Sequence, residues 1–328
     1  MDNQLKQSCL DNRHRWEIFE YNFLSMKPRL SAPLEMAWCR FETCPLCGAS
    51  EANFQNWFAY DSVKAQKCSS CRFRFLNPYL SPESMIKIYS SHLSMAAVNE
   101  KLEKYYEDFE GSETEKGFQE SLKILQDLGA RGSLLDVGCG RGKFLEFARK
   151  SGWETVGIEP GAEHTLYAKE KLKMNVINAS LEETQFPSGQ FDVITLWDVI
   201  EHIENPKEVL KKLRVWLKPG GLILLATPSH ESLLNFLART AYVLSGGLIK
   251  KPLTYFFVPE HILYFTSASL RRLVKECGFV PVREMKTGTD IERYSVSPLV
   301  KIAAKILLPL AKFLRAENRM VWICRQSN

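Results

Sequence analysis

The run Leu134-Leu135-Asp136-Val137-Gly138-Cys139-Gly140-Arg141-Gly142-Lys143 is where the chain is best suited to hold a ligand. An apolar strand ends there in an acid and a glycine-rich turn, and a helix begins at once. Such a turn brings bare backbone close to a ligand and aims helix N–H groups at it. A dinucleotide fingerprint would read G-x-G-x-x-G. Here the glycines fall at 138, 140 and 142, a spacing that argues against that ligand. The next apolar strand, Glu154 to Ile158, is tipped by Glu159. One carboxylate at that place accepts a hydrogen bond from each of two vicinal ribose hydroxyls and repels a 2′-phosphate.

Four cysteines form a second group. Cys44 and Cys47, then Cys68 and Cys71, make two C-x2-C pairs with twenty residues between them. Each pair presents two thiolates from one tight turn, and two such turns complete a tetrahedral Zn2+ site. So small a unit buries little apolar surface, so a structural metal is expected to supply much of its stability. Reduced structural cysteines are the alternative. Cysteines 9, 39, 139, 277 and 324 have no such spacing, and Cys139 reads as a small residue fitted into the glycine turn. A third group is titratable. His202 follows a strand ending Trp197-Asp198, and His261 lies in a later apolar segment; either suits a general base. The alternative is that both only shape a wall. His14, His92, His164 and His230 have no supporting context.

Around these residues the pattern alternates between short apolar strands and helices. A helix is expected over 142–151, a third strand over Met174 to Ile177, a fourth over Phe191 to Trp197, and a helix from Pro206 to about Leu217. A Lys218-Pro219-Gly220-Gly221 turn leads to a fifth strand, Leu222 to Pro228. Arg319 to Cys324 reads as a last strand, antiparallel to Val280 to Met285. The set D-V-G-C-G-x-G, the acid 23 positions on, F-D-V-I, E-H-I-x-x-P and L-K-P-G-G-L resembles the class I S-adenosylmethionine-dependent methyltransferases. The small-molecule branch, with its ubiquinone-type O-methyltransferases, is the nearest likeness, over about 120–325.

The resemblance implies an α/β fold: a doubly wound, Rossmann-like seven-stranded sheet, here with a small N-terminal zinc ribbon held by the four paired cysteines. It implies S-adenosyl-L-methionine as cofactor. Asp136, Gly138, Cys139, Gly140 and Gly142 would face its methionine and ribose side, Glu159 the ribose hydroxyls, and Trp197 and Asp198 the sulfonium. Trp197 reads equally as strand core. Ser180 stands where the family commonly places an acid near the adenine amino group, and reads also as a helix cap. The expected organisation is an arm over 1–40, the ribbon over 41–82, a helical linker over 83–128, and the methyltransferase domain over 129–328. Within that domain an insertion at 229–262 is rich in Leu, Phe and Tyr and reads as either a substrate lid or added core.

With 328 residues, 45% apolar and 25% charged, the chain suits a packed soluble protein. The net charge of +5 is mild, and no long basic block occurs, so nucleic acid is not the expected partner. The first residues lack an apolar signal core, and reduced cysteine pairs suit a cytoplasmic enzyme. Lys301, Lys305 and Lys312 mark one stripe of a helix containing Pro309, so 299–315 reads as peripheral membrane contact or as a packed helix with a solvated lysine face. The expected reaction is O-methylation of a small molecule, saccharide or lipid-linked acceptor. C-methylation of a nucleotide sugar, RNA methylation, and a non-catalytic zinc scaffold remain the alternatives.

Overall fold

A computed structural model describes residues 37–60, 63–90, 110–288 and 298–327. Most of the expected N-terminal arm and the expected helical stretch Glu100 to Phe109 lie outside the described residues.

The cysteine-bearing part is built from β1 (Trp38–Cys39), β2 (Phe54–Tyr60), β3 (Val63–Cys68), β4 (Arg74–Leu76) and β5 (Tyr79–Leu80), followed by α1 (Pro82–Ser90). β2, β3 and β4 form an antiparallel sheet. α2 (Glu113–Asp127) then starts at Ser112, whose hydroxyl accepts the Glu115 N–H at 3.0 Å. This satisfies one of the four orphan donors of a helix start. Phe118, Leu122 and Leu125 form its buried stripe.

The large sheet follows. β6 (Ser133–Val137), α3 (Lys143–Lys150), β7 (Glu154–Ile158), α4 (Ala162–Glu170), β8 (Val176–Ile177), β9 (Phe191–Trp197), α5 (Pro206–Trp216) and β10 (Leu217–Pro228) alternate as the periodicity requires. The Lys218–Gly221 stretch belongs to β10 rather than to a separate turn; the register against β9 shifts between Leu217 and Leu222 to absorb it. Next come α6 (Leu233–Leu244), α7 (Lys251–Thr254), β11 (Leu263–Tyr264), α8 (Ser267–Glu276), β12 (Phe279–Thr287), α9 (Pro298–Phe313) and β13 (Arg319–Gln326). The seven strands lie in the order β12-β13-β10-β9-β6-β7-β8, and only β13 runs against the rest. The chain steps from β6 outward to β8, then returns to the other side of β6 at β9. That reversal opens a crevice between the carboxyl ends of β6 and β9, where open α/β sheets bind ligands.

The insertion after β10 is helical, and it returns as β11 to pair with β4, adding a fourth strand to the cysteine-bearing sheet. Their cores merge. Phe58 lies 5.5 Å from Phe257 and 5.2 Å from Tyr242, and Phe73 lies 5.3 Å from Phe265. The Tyr60 hydroxyl donates to the Phe257 carbonyl at 2.5 Å. A second apolar cluster, on α2, α3 and Trp153, covers other side chains of the large sheet.

Candidate active site

The glycine turn is shaped by two close approaches. Gly138 has a φ of 68°, and a Cβ there would stand 2.6 Å from Val199 Cγ2, just past the tip of β9. Gly157, in β7, has Cys139 Sγ 2.6 Å and Leu145 Cδ1 2.7 Å from where its Cβ would be. Only bare Cα atoms let the turn lie this close to both neighbouring strands. The Cys139 thiol therefore packs on Gly157, and the residue meets the crevice through its backbone. Gly138 and Cys139 both donate N–H groups to the Ile158 carbonyl, which holds the turn over the end of β7.

Glu159 closes the far side of the turn. Its Oε2 accepts the Gly140 N–H at 2.9 Å, and its Oε1 accepts the Gly161 N–H at 2.8 Å. Each carboxylate oxygen has two lone pairs, so this bracing leaves acceptor capacity for a diol. Asn178 supports the same corner by donating to the Glu159 carbonyl at 2.9 Å. Asp136 is buried, and Thr195 on β9 donates its hydroxyl to Asp136 Oδ1 at 2.6 Å. Burial pushes the Asp136 carboxyl up to about 7; the nearby Glu159 charge adds to this, and the Thr195 bond opposes it. Ser180 is occupied locally: its hydroxyl accepts the Glu183 N–H at 3.3 Å, and its own N–H goes to the Glu183 carboxylate at 3.0 Å. That reciprocal pair is a capping arrangement. The Trp197 ring packs on Phe118 at 4.6 Å and on Phe144 at 5.2 Å, and its buried N–H has no partner among the described residues.

Beyond β9 the chain makes a sharp step. Asp198 takes a φ of 53° and is paired with Arg319 at the start of β13. Its Oδ1 is buried and has no hydrogen bond among the described residues. The short 3-10 turn Ile200–His202 then places His202 against the insertion. His202 Nδ1 lies 2.6 Å from the Glu260 carbonyl. A carbonyl can only accept, so Nδ1 donates there, and the Asp198 backbone also bears on the ring. The His261 ring stands edge-on, 4.9 Å from His202. Burial lowers both pKa values, against the backbone hydrogen bonds at His202, and at His261 the nearness of other basic groups (His202, His230 and Arg319) adds to it, so both rings are neutral near pH 7. Glu201 Oε2 accepts the Thr227 hydroxyl at 2.9 Å, and burial pushes this acid up to about 8. Ligand atoms of Glu201, His202 and His261 lie within 4.8 Å of one another.

The structure thus gathers Asp136, Gly138, Gly140, Gly142 and Glu159 at one lip of the crevice, and Trp197, Asp198, His202 and His261 at the other. Sequence reasoning missed Thr195, Thr227 and Arg319. A lone threonine inside FDVITLW and another inside LILLATP are polar residues in buried strands, a signal that was available. Arg319 has no local signal, because its partner is far away in the chain.

The cysteines form a separate centre. Cys44 Sγ lies 3.6 Å from Cys71 Sγ, and Cys47 Sγ 3.7 Å from Cys68 Sγ, with all four sulfurs within 4.8 Å. Tetrahedral zinc at about 2.3 Å from each sulfur separates sulfurs by about 3.8 Å, so the four fit that ion. The hydrogen bond from Cys44 holds the Cys71 thiol down to about 5.

Comparison with known proteins agrees with this geometry. The family described as "Methyltransferase domain" matches residues 112–284, more than half of the chain, and the chain belongs to it. With its sheet order and glycine turn, it is a class I S-adenosylmethionine-dependent methyltransferase by family. The ubiquinone biosynthesis O-methyltransferase of Rickettsia felis is 29% identical over 177 residues, covering 52% of this chain and 65% of that protein. The protein of the same name from Aeromonas salmonicida is 28% identical over 163 residues, 46% of this chain and 64% of its own length. The chain therefore spans just under two thirds of the length of these curated relatives. Among solved structures, a methyltransferase from Thermotoga maritima aligns with a TM-score of 0.49 at 16% identity, over 74% of this chain and all of that one. One from Archaeoglobus fulgidus gives 0.43 at 20%, over 64% and 94%.

Proposed function

We propose that this chain transfers a methyl group from S-adenosylmethionine to a hydroxyl of a small molecule, saccharide or lipid-linked intermediate. The observation that carries this is the bracing of Gly140 by Glu159 at one lip of the switch-point crevice, in a chain of this family. The bound cofactor supplies a methyl group on a positively charged sulfur. Glu159 holds the ribose hydroxyls, and the backbone of Gly138 to Gly142 lets the rest lie close to the turn. Asp198, whose Oδ1 is buried and unmatched, offers negative charge near the β9 tip. Displacement at a methyl carbon depends mainly on alignment and on excluding water, and the insertion covers the β9 and β10 ends to that purpose. A hydroxyl acceptor must lose its proton, and the neutral rings of His202 and His261 are the candidate bases at that lip.

In this reading the four cysteines hold one structural zinc, supported by their sulfur spacing. The reading also gives the chain a lipid-facing side. α9 packs beside α6, and together with the loop after α6 they expose Phe236, Val243, Leu248, Ile306 and Phe313. Lys250, Lys251, Lys305, Lys312 and Arg315 lie exposed among them, and neither 232–259 nor 298–316 contains an acid. Apolar tips ringed only by cations suit an anionic bilayer surface. No described helix is long and apolar enough to cross a membrane.

The test of the methyl-transfer reading is calorimetry with S-adenosylmethionine. Wild type is expected to bind, and Glu159→Gln to bind about 10- to 100-fold more weakly, the cost of one charged hydrogen-bond acceptor. A wild-type protein that binds none of the cofactor overturns the reading.

A further inference from the structure

The contact between the cysteine-bearing sheet and the insertion holds a pair of positive charges with no ion-pair partner among the described residues. The half-buried Trp57 ring, on β2, has the Arg74 guanidinium carbon 4.8 Å from its centroid and that of Arg239, from α6, at 5.2 Å. Cation–π attraction explains why each sits on the ring. It does not explain two like charges on one ring. Among the described residues neither guanidinium makes a hydrogen bond or an ion pair, and Arg74 Nε is buried without a partner. Burial and the Arg239 charge lower the Arg74 pKa to about 10, against an opposing pull from Glu231. Glu231 does not close on either arginine; its carboxylate accepts the Ser267 N–H at 2.9 Å.

The ground beside the pair is also arranged. His230 is buried, and burial together with both arginines pushes its pKa down to about 3, so it is neutral. Asn235 Nδ2 donates to the His230 carbonyl at 3.1 Å, which fixes the amide as a donor there, and it also reaches His230 Nδ1 at 3.0 Å. Nδ1 therefore accepts, and the imidazole proton sits on Nε2. The His261 ring stands 4.9 Å from His202, and the His230 ring 4.5 Å from Tyr264. The strand pairing brings this side of the insertion to the arginine pair, since Tyr264 on β11, three residues beyond His261, is the register partner of Arg74.

We propose that Arg74 and Arg239 are the binding site for a phosphoryl group of the methyl acceptor. The acceptor is then a phosphate- or diphosphate-bearing molecule whose hydroxyl reaches the His202 and His261 end while its anion lies on the arginines. Guanidinium forks match phosphate oxygens in pairs, and a bound anion removes the repulsion between the two side chains. A nucleoside diphosphate and a lipid-linked diphosphate share this chemistry.

The inference rests on the methyl-transfer reading, and one titration series separates the two. The full chain, saturated with S-adenosylhomocysteine, is titrated calorimetrically with inorganic diphosphate, uridine diphosphate and a short prenyl diphosphate. Binding is expected, weakening with salt, and falling about tenfold or more in Arg74→Gln and in Arg239→Gln. The affinity for S-adenosylhomocysteine, measured first, is expected to be unchanged in both variants, which shows that they are folded. Arg239→Lys, which keeps the charge but loses the fork, is expected to fall between. Tighter binding of uridine diphosphate than of prenyl diphosphate assigns a nucleotide-linked acceptor, and the reverse order a lipid-linked one. If wild type binds S-adenosylhomocysteine but none of the three diphosphates, or the glutamine variants bind them as wild type does, the arginine pair is a packing feature only. If S-adenosylhomocysteine itself does not bind, the methyl-transfer reading fails instead.

Discussion

Asp136 and Glu201 are acids held where ionisation is costly, and both have a consequence for stability. Their carboxyls are raised by burial from 3.8 to about 7 and from 4.5 to about 8. Between pH 4 and 8 the folded protein therefore keeps protons that the unfolded chain has released. Stability falls as pH rises through that window, and levels off above it, when both states are ionised. The steepest loss is about 1.4 kcal/mol per pH unit for each acid. Thermal unfolding of the ligand-free protein is expected to show a lower Tm at pH 8 than at pH 5.5, with a smaller fall in Asp136→Asn. A Tm that rises over that range contradicts the assignment. The glycine turn and Glu159 were legible because their chemistry is local: a strand, a turn and an acid at a fixed distance. The bonds that Thr195, Thr227 and Arg319 make were not, since each partner lies far off in the chain, on another strand or just past the tip of β9, and only the sheet order brings them together.

At the scale of elements, the cysteine knuckles were legible from spacing alone, and so were the alternating strands and helices of the large sheet. What the spacing hid was the fourth strand. A two-residue β11 inside an apolar, aromatic segment carries no period, and pairing with β4 across about 190 residues decides its state. This pairing sets the expected result of metal loss. The purified protein is expected to hold one zinc per chain. Cys44→Ser, or prolonged treatment with a strong chelator, is expected to lower the Tm by several degrees and to loosen the insertion, read as faster amide exchange around Phe257 to Phe265. Metal analysis that finds no zinc, with a Tm indifferent to chelator, removes the ion from the account. Ser180 is a contrasting case, since the cap its hydroxyl could make was readable from the chain and is what its bonds with Glu183 form.

For the whole molecule, the acid-free segments around α6 and α9 put one apolar, cationic side around Arg239. Sedimentation with vesicles is the matching measurement. Binding to vesicles rich in phosphatidylglycerol is expected, with little binding to phosphatidylcholine alone, and loss on Leu248→Ser together with Phe313→Ser. Equal retention on both lipids, or on neither, counts against a bilayer contact. Sequence periodicity had marked only the second of these segments, because the first reads simply as an apolar insertion until its exposed tips are seen. The strand shared between β4 and β11 has one more outcome, and it concerns synthesis. The N-terminal sheet stays one strand short until residue 264 has left the ribosome, so its cysteines emerge long before their scaffold is finished. Early metal capture and late closure of the sheet then become separate events in the making of each molecule.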